Sequence, residues 1–217
     1  MKTLKYIALG VILSSLIFSS FSIYPSRKSS IQTETVTFCE TYTQEEVLSK
    51  LDPEELFFTL VKLENTYPES SRIGRCNEAD LNRLWEHIQS EAFRSKVQED
   101  LVIAAGAEIK DQMISLYAIK KKASNNMLPL QQDLEEVSIS KDDQEDNYAL
   151  LMTFSESGAK KWATMTRLNK GRSIAILFDG KVISAPMVRE EIKDGKLMIS
   201  GKFTESEIKE LKAILEN

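Results

Sequence analysis

The sequence is poor in the groups on which most enzymes depend. Its 217 residues hold one histidine, His87, and two cysteines, Cys39 and Cys76. One imidazole and two thiols fall short of the four ligands a structural zinc takes. No serine stands in a Gly-x-Ser-x-Gly setting, so the nucleophile elbow is missing as well. Basic excess is lacking too: the net charge is -5, whereas a general nucleic-acid binder needs a positive footprint to displace counterions. His87, beside Trp85 on a patterned stretch, is read as structural or solvent-facing. No cofactor or metal is expected. What is abundant is carboxylate, 33 Asp plus Glu, so an acid pair assembled by folding stays open as an enzymatic reading.

The first residues set the compartment. Met1 to Lys5 form a short basic region, and Ile7 to Phe18 an apolar run of signal-peptide length. Small residues at Ser20 and Ser22 suit cleavage after Ser22, while Phe21 to Tyr24 extend the apolar character toward the lower limit for a membrane span. Residues 1–22 are therefore a signal peptide or an uncleaved anchor, with membrane association through residues 7–24. Either way the rest is exported. No cysteine follows the apolar run, so lipoprotein anchoring has no support. Export makes Cys39 and Cys76 a candidate disulfide, the alternative being two unpaired thiols. The bond would close a loop of 36 intervening residues and stabilise by about 3–4 kcal/mol in the chain-entropy estimate.

Residues 23–42 read as a polar tether and residues 43–97 as a helical segment. Thr43 with Glu46 forms a capping box, Asp52-Pro53 offers a second helix start, and Asn77 caps a third helix carrying Leu81, Leu84, Trp85, Ile88 and Ala92. From Leu101 the period changes. Leu101–Ala105, Ile114–Ile119, Glu136–Ser140 and Tyr148–Phe154 read as strands. The acidic run 142–146 has no glycine and lacks the ligand spacing of a calcium loop, so it reads as a charged hairpin loop. Ser155 caps a helix whose face is Ala159, Trp162, Ala163, Thr166 and Leu168, with Gly171 as its left-handed stop. Thr204 with Glu207 opens the last helix, which turns Ile208, Leu211 and Leu215 inward.

The sharpest local signal is Ser173 to Gly201. Asp179-Gly180 predicts a two-residue turn with positive φ at both positions, pairing Phe178 with Lys181, Leu177 with Val182, Ile176 with Ile183 and Ala175 with Ser184. One face of this hairpin carries Ile174, Ile176, Phe178, Ile183 and Ala185, and the other Ala175, Leu177 and Val182. Both are apolar, so both should be covered. Pro186 ends the ladder, Asp194-Gly195 reverses the chain, and Lys196–Ser200 forms another strand.

These residues resemble a known family. Gly158-Ala159 with Trp162, Thr166 before Asn169-Lys170-Gly171, Ala175-Ile176-Leu177 before Asp179-Gly180, and Ser184-Ala185-Pro186 are similar to the head subdomain of the first periplasmic domain of SecD and SecDF. Ile192 before Asp194-Gly195, Ile199 with Gly201, Phe203-Thr204, and Leu116 to Lys120 upstream complete the pattern. The resemblance implies an α+β fold over residues 98–217, a mostly antiparallel sheet with two packed helices. It marks Gly158, Thr166, Asp179, Gly180, Pro186, Gly195, Gly201 and Thr204 as structural signatures. It further implies a periplasmic location, or tethering at the inner membrane, and contact with preproteins emerging from the Sec translocon. The proton-coupled membrane bundle of SecD does not fit a chain with one apolar segment. A non-enzymatic module binding polypeptide clients or translocon partners is the expected function. An envelope spacer acting through residues 43–97 and a carboxylate-based hydrolase are the alternatives.

Overall fold

Apolar alternation and turn chemistry account for most of the elements. The computed structural model describes residues 36–64, 69–121, 129, 131–142, 147–201 and 203–216, which lie within one unit, Glu34–Asn217. The chain opens with strand β1 (Val36–Glu40) and two short helices, α1 (Gln44–Leu48) and α2 (Leu56–Leu60). Strands β2 (Val61–Leu63) and β3 (Arg72–Asn77) follow, then helices α3 (Leu81–Gln89) and α4 (Glu91–Arg94). Next come β4 (Leu101–Lys110), β5 (Met113–Lys120), β6 (Leu134–Asp142) and β7 (Asn147–Phe154). Helix α5 (Glu156–Leu168), β8 (Ile174–Phe178), β9 (Lys181–Ser184), β10 (Lys196–Gly201) and α6 (Glu205–Leu215) complete the fold.

Two sheets form. The larger has seven strands in the order β1-β8-β9-β4-β5-β3-β2, and the smaller has the order β10-β7-β6. Every ladder is antiparallel except the single β4–β9 pairing at Gly106 and Val182. The fold class is thus α+β with a mostly antiparallel sheet, as the resemblance implies. The end of β1 returns toward β5, where Thr41 bridges Ile119 and the Tyr42 N–H donates to the Ala118 carbonyl at 3.0 Å.

The Asp179-Gly180 hairpin sits between two cores. Ile174 and Ile176 face a core with Phe38, Phe154, Trp162, Met165, Ile199 and Leu211. Ala175, Leu177 and Val182 face a second, with Ala104 and Ile119. Both faces are covered, as predicted, but Ala185 packs with the second group rather than the first. The register agrees at Phe178–Lys181 and Leu177–Val182, then slips by one: Ile176 opposes Ser184, leaving Ile183 at a bulge. A bulge of this kind lets β9 bend without exposing Ile183, which still packs on the first core.

Four sequence readings are corrected. Residues 36–40 belong to a strand, not a tether: Val36, Phe38 and Glu40 alternate inward, the period of a half-buried strand. Within the stretch read as helical, 61–63 and 72–77 are strands. Helix α2 stops because Val61 is extended, and Gly74 lets β2 come close to β3, since a Cβ there would lie 2.6 Å from the Lys62 carbonyl oxygen. Asp52-Pro53 starts no helix; α2 begins after Glu55. On α5 the buried positions are Gly158, Trp162, Met165 and Thr166, and Leu168 is exposed. Both predicted capping boxes, Thr43–Glu46 and Thr204–Glu207, are formed. Residues 1–35 and 143–146, including the apolar run and most of the acidic loop, lie outside the described residues.

Candidate functional site

The signature residues are spread over several elements of the fold, and none of them lines the hollow beside His87. Asp179 and Gly180 have φ of 46° and 74° and are exposed at the hairpin tip. Pro186 is exposed, and its carbonyl accepts from Ile174 N–H at 3.1 Å. Gly195 has φ of 66°. A Cβ there would stand 2.6 Å from Ala159 Cβ. Gly158 is held against Asp133, whose carbonyl oxygen would lie 2.8 Å from an added Cβ. Gly201 ends β10 opposite Tyr148. Thr166 has a second role that sequence reasoning missed. Fully buried, it donates to the Trp162 carbonyl at 2.9 Å and accepts from Ile192 N–H at 3.0 Å, pinning the segment before β10 onto α5.

Buried charge is matched locally. Glu40, 2% exposed, accepts from Asn169 Nδ2 at 3.3 Å and lies 3.8 Å from the Lys120 ammonium. Asp133 accepts two bonds from Lys161, at 2.9 and 2.8 Å. Each of these carboxylates therefore has its own cation, the arrangement that makes burying a charge tolerable. The Glu46 carboxylate links α1 to the turn after α5: Arg172 grips it with two bonds, 2.8 and 2.7 Å. It also closes the capping box by accepting from Thr43 N–H at 2.8 Å.

The Arg172 fork, helped by Thr43 against the opposing effect of burial, lowers the Glu46 pKa to about 2. A carboxylate depressed in the folded state stabilises above its unfolded value and loses that contribution as pH falls through the folded one. Acid melting between about pH 4.5 and 2 should thus be less steep for Glu46→Gln than for the parent, measured as Tm against pH. Equal slopes would show that the pair does not couple folding to protonation.

His87 lies beside a shallow hollow lined by Asp52, Pro53, Glu54, Glu55 and Leu56. Its Nε2 is 3.3 Å from Glu55, and its ring meets Phe93 edge-on. Lys96 binds both Asp52 and Glu55, so these two carboxylates are already engaged by a cation. Among the described residues no group of three or more His, Cys, Asp or Glu is placed to hold a metal ion.

The two cysteines stand as free thiols, which corrects the disulfide expectation. Cys39 is on β1 opposite Ala175. Cys76 is on β3 between Val61 and Ile114, in a different part of the large sheet. Burial pushes both thiols up to about 11, with Asp80 adding to the effect on Cys76, which leaves little reactive thiolate.

The feature that offers a surface for chemistry is an edge. Strand β6 is nine residues long and pairs with β7 on one side. Among the described residues no strand ladders onto its other side. Helix α6 covers the inner face of this sheet through Ile208, Leu211 and Leu215, which join Val137 and Leu150 in the core. The outer face carries exposed apolar residues. Leu151 and Met198, directly opposed across β7 and β10, are 39% and 58% exposed. Unpaired backbone donors and acceptors at such an edge are a template for another extended chain. Sequence patterning locates β6 but not its place in the sheet order, so the edge was invisible from the sequence.

The chain is similar to known proteins. The family described as SecDF, P1 head subdomain, matches residues 99–217. The protein translocase subunit SecD of Acidaminococcus fermentans is 38% identical over 156 residues, which are 69% of this chain and 37% of that protein. SecD of Sebaldella termitidis is 44% identical over 62 residues, 29% of this chain and 15% of the relative. A solved structure of SecDF, a membrane component that enhances protein export, aligns with 85% of this chain and 62% of its own. That alignment has 23% identity and a TM-score of 0.44. The chain spans little more than a third of the length of the Acidaminococcus relative. The family match takes in all of β4 to α6, more than half of the chain, and the chain belongs to the SecDF P1 head subdomain family.

Proposed function

We propose that this chain serves protein export as a binding module rather than a catalyst, receiving extended polypeptide along the outer edge of β6. The open β6 edge carries the reading. Main-chain hydrogen bonding at a sheet edge tolerates many sequences, which suits a module that meets varied clients. The relatives are protein translocase subunits, which supports partners among exported polypeptides and the Sec translocon. The reading places the module on the periplasmic side, released or held to the membrane by residues 7–24. Local pairing of Glu40 and Asp133 with Lys120 and Lys161 favours binding over carboxylate catalysis.

The test is a photo-crosslinking side chain at Ser140, an exposed β6 position, in intact cells, with Arg83 on α3 as the comparison site. Adducts with exported polypeptides should form from position 140, disappear when export is blocked, and be absent from position 83. Equal labelling at both sites, or none at 140, would overturn the reading.

A further inference from the structure

The corner where α5 ends and the chain returns after β9 carries charge and apolar surface that the fold does not use. The Gly171 N–H donates to the Val188 carbonyl and the Val188 N–H to the Arg172 carbonyl, both at 2.8 Å. Ser173 bridges Met187, so residues 171–173 run beside 187–189. Met187 and Arg189 are exposed while Val188 between them is buried, the alternation of an extended segment with one face turned to solvent. Arg167, Leu168 and Lys170 are exposed at the C-terminal end of α5, off the helix face that buries Trp162, Met165 and Thr166. Leu168 is 47% exposed and Met187 40%, and Pro186 beside Met187 is exposed too.

The cations here are not spent on the fold, with one exception: Arg172 grips Glu46. Arg167, Lys170 and Arg189 have no ion pair among the described residues. Across residues 167–172 and 186–190 the sole carboxylate is Glu190, so the corner is positive in a chain of net charge -5. A helix C-terminus favours nearby cations, which accounts for Arg167 and Lys170. It does not account for Arg189, which lies outside every helix, nor for uncovered Leu168 and Met187.

We propose that this corner is a membrane-contact surface that docks on anionic phospholipid headgroups, with Leu168 and Met187 dipping into the interface among them. Electrostatic attraction joined to shallow apolar burial is how a peripheral surface holds a bilayer. The free cations come from separate elements, and neither apolar side chain lines the hollow beside His87. Laterally mobile headgroups adapt to such a layout, whereas a fixed acidic ligand needs a shaped site. Each cation near an anionic surface is worth about a fivefold gain in partitioning, so three opposed by Glu190 give a reversible contact. No β6 residue takes part, so this contact is separate from the edge that receives polypeptide.

The test uses the full chain in nanodiscs of pure phosphatidylcholine or of equimolar phosphatidylglycerol and phosphatidylcholine, each doped with headgroup-spin-labelled lipid. A fluorescent side chain replaces Met187 or, for comparison, Arg83 on α3. Position 187 should be quenched in the anionic discs and not in the neutral ones, and position 83 in neither. Arg189→Gln should lower the ratio of docked to free chain about fivefold, and Arg189→Lys should keep it near the parent value. Arg167→Glu combined with Arg189→Glu should abolish the quenching at an unchanged Tm; if that chain melts early, Arg189→Gln decides. Added salt should release the contact, because exposed charges are screened. Equal quenching in the two disc types, equal quenching at 83, or an Arg189→Gln chain that docks like the parent would overturn the proposal. So would a polyglutamate peptide that shifts the fluorescence at 187 when anionic discs do not, which would assign the corner to an acidic polypeptide.

Discussion

Phe38→Ala will lower stability by roughly 3–5 kcal/mol, the cost of emptying a large aromatic site in a core. That corresponds to a Tm lower by about 6–20 °C for a unit of this size. Phe38 is 1% exposed, and its ring centroid lies 5.6 Å from Phe154 and 5.7 Å from Trp162. Those two rings also face each other at 5.6 Å, so the three form one aromatic cluster shared by β1, β7 and α5. The backbone reinforces the cluster, because β1 ladders along the whole of β8. A fragment beginning at residue 99, where the family match starts, lacks both Phe38 and the strand that covers β8. It should therefore fail to give a cooperative melt. A Phe38→Ala chain with unchanged Tm, or a 99–217 fragment that melts like the parent, would show that β1 is peripheral.

Gly195→Ala will cost about 3 kcal/mol, from left-handed backbone strain plus overpacking. At φ 66° an added Cβ meets Ala159 Cβ at 2.6 Å and Ala159 Cα at 3.3 Å, and the helix backbone behind it has little room to give way. Gly180 is the informative comparison. It has φ 74° but nothing within 4 Å of an added Cβ, so Gly180→Ala should cost only about 1–2 kcal/mol of backbone strain. Thermal melts of the two variants should separate clearly, with Gly195→Ala the lower. Equal losses would mean that the Ala159 contact relaxes freely.

The contrast between these glycines shows where sequence reading reached and where it stopped. Asp179-Gly180 and Asp194-Gly195 were legible as corners because positive φ is a local requirement that the residue types announce. Both capping boxes were legible for the same reason. The apolar faces of the hairpin were legible from period alone, since Ile174 and Ile176 go to one core and Ala175 and Leu177 to the other. What failed was nonlocal. β1 is five residues in a polar stretch, and it becomes a strand because β8 offers an edge 134 or more residues later. The short β2 and β3 were hidden between helical patterns and exist because β5 receives β3 and β3 in turn receives β2. The one-residue slip at Ile183 leaves no local signature. For the site the same boundary applies. The signature residues could be named, but the free edge depends on the order β10-β7-β6, which no window of sequence contains.

Hydrogen exchange along β6, in the full chain with and without an unfolded export client, addresses the account most directly. Amides in residues 134–142 that point away from β7 should exchange quickly in the free monomer, because exposed ladder edges have no partner to open. They should slow markedly when the client is added, while α3 and the β4–β5 turn stay unchanged. Protection that appears elsewhere and leaves β6 as before would contradict the claim that this edge is where the protein meets its polypeptide.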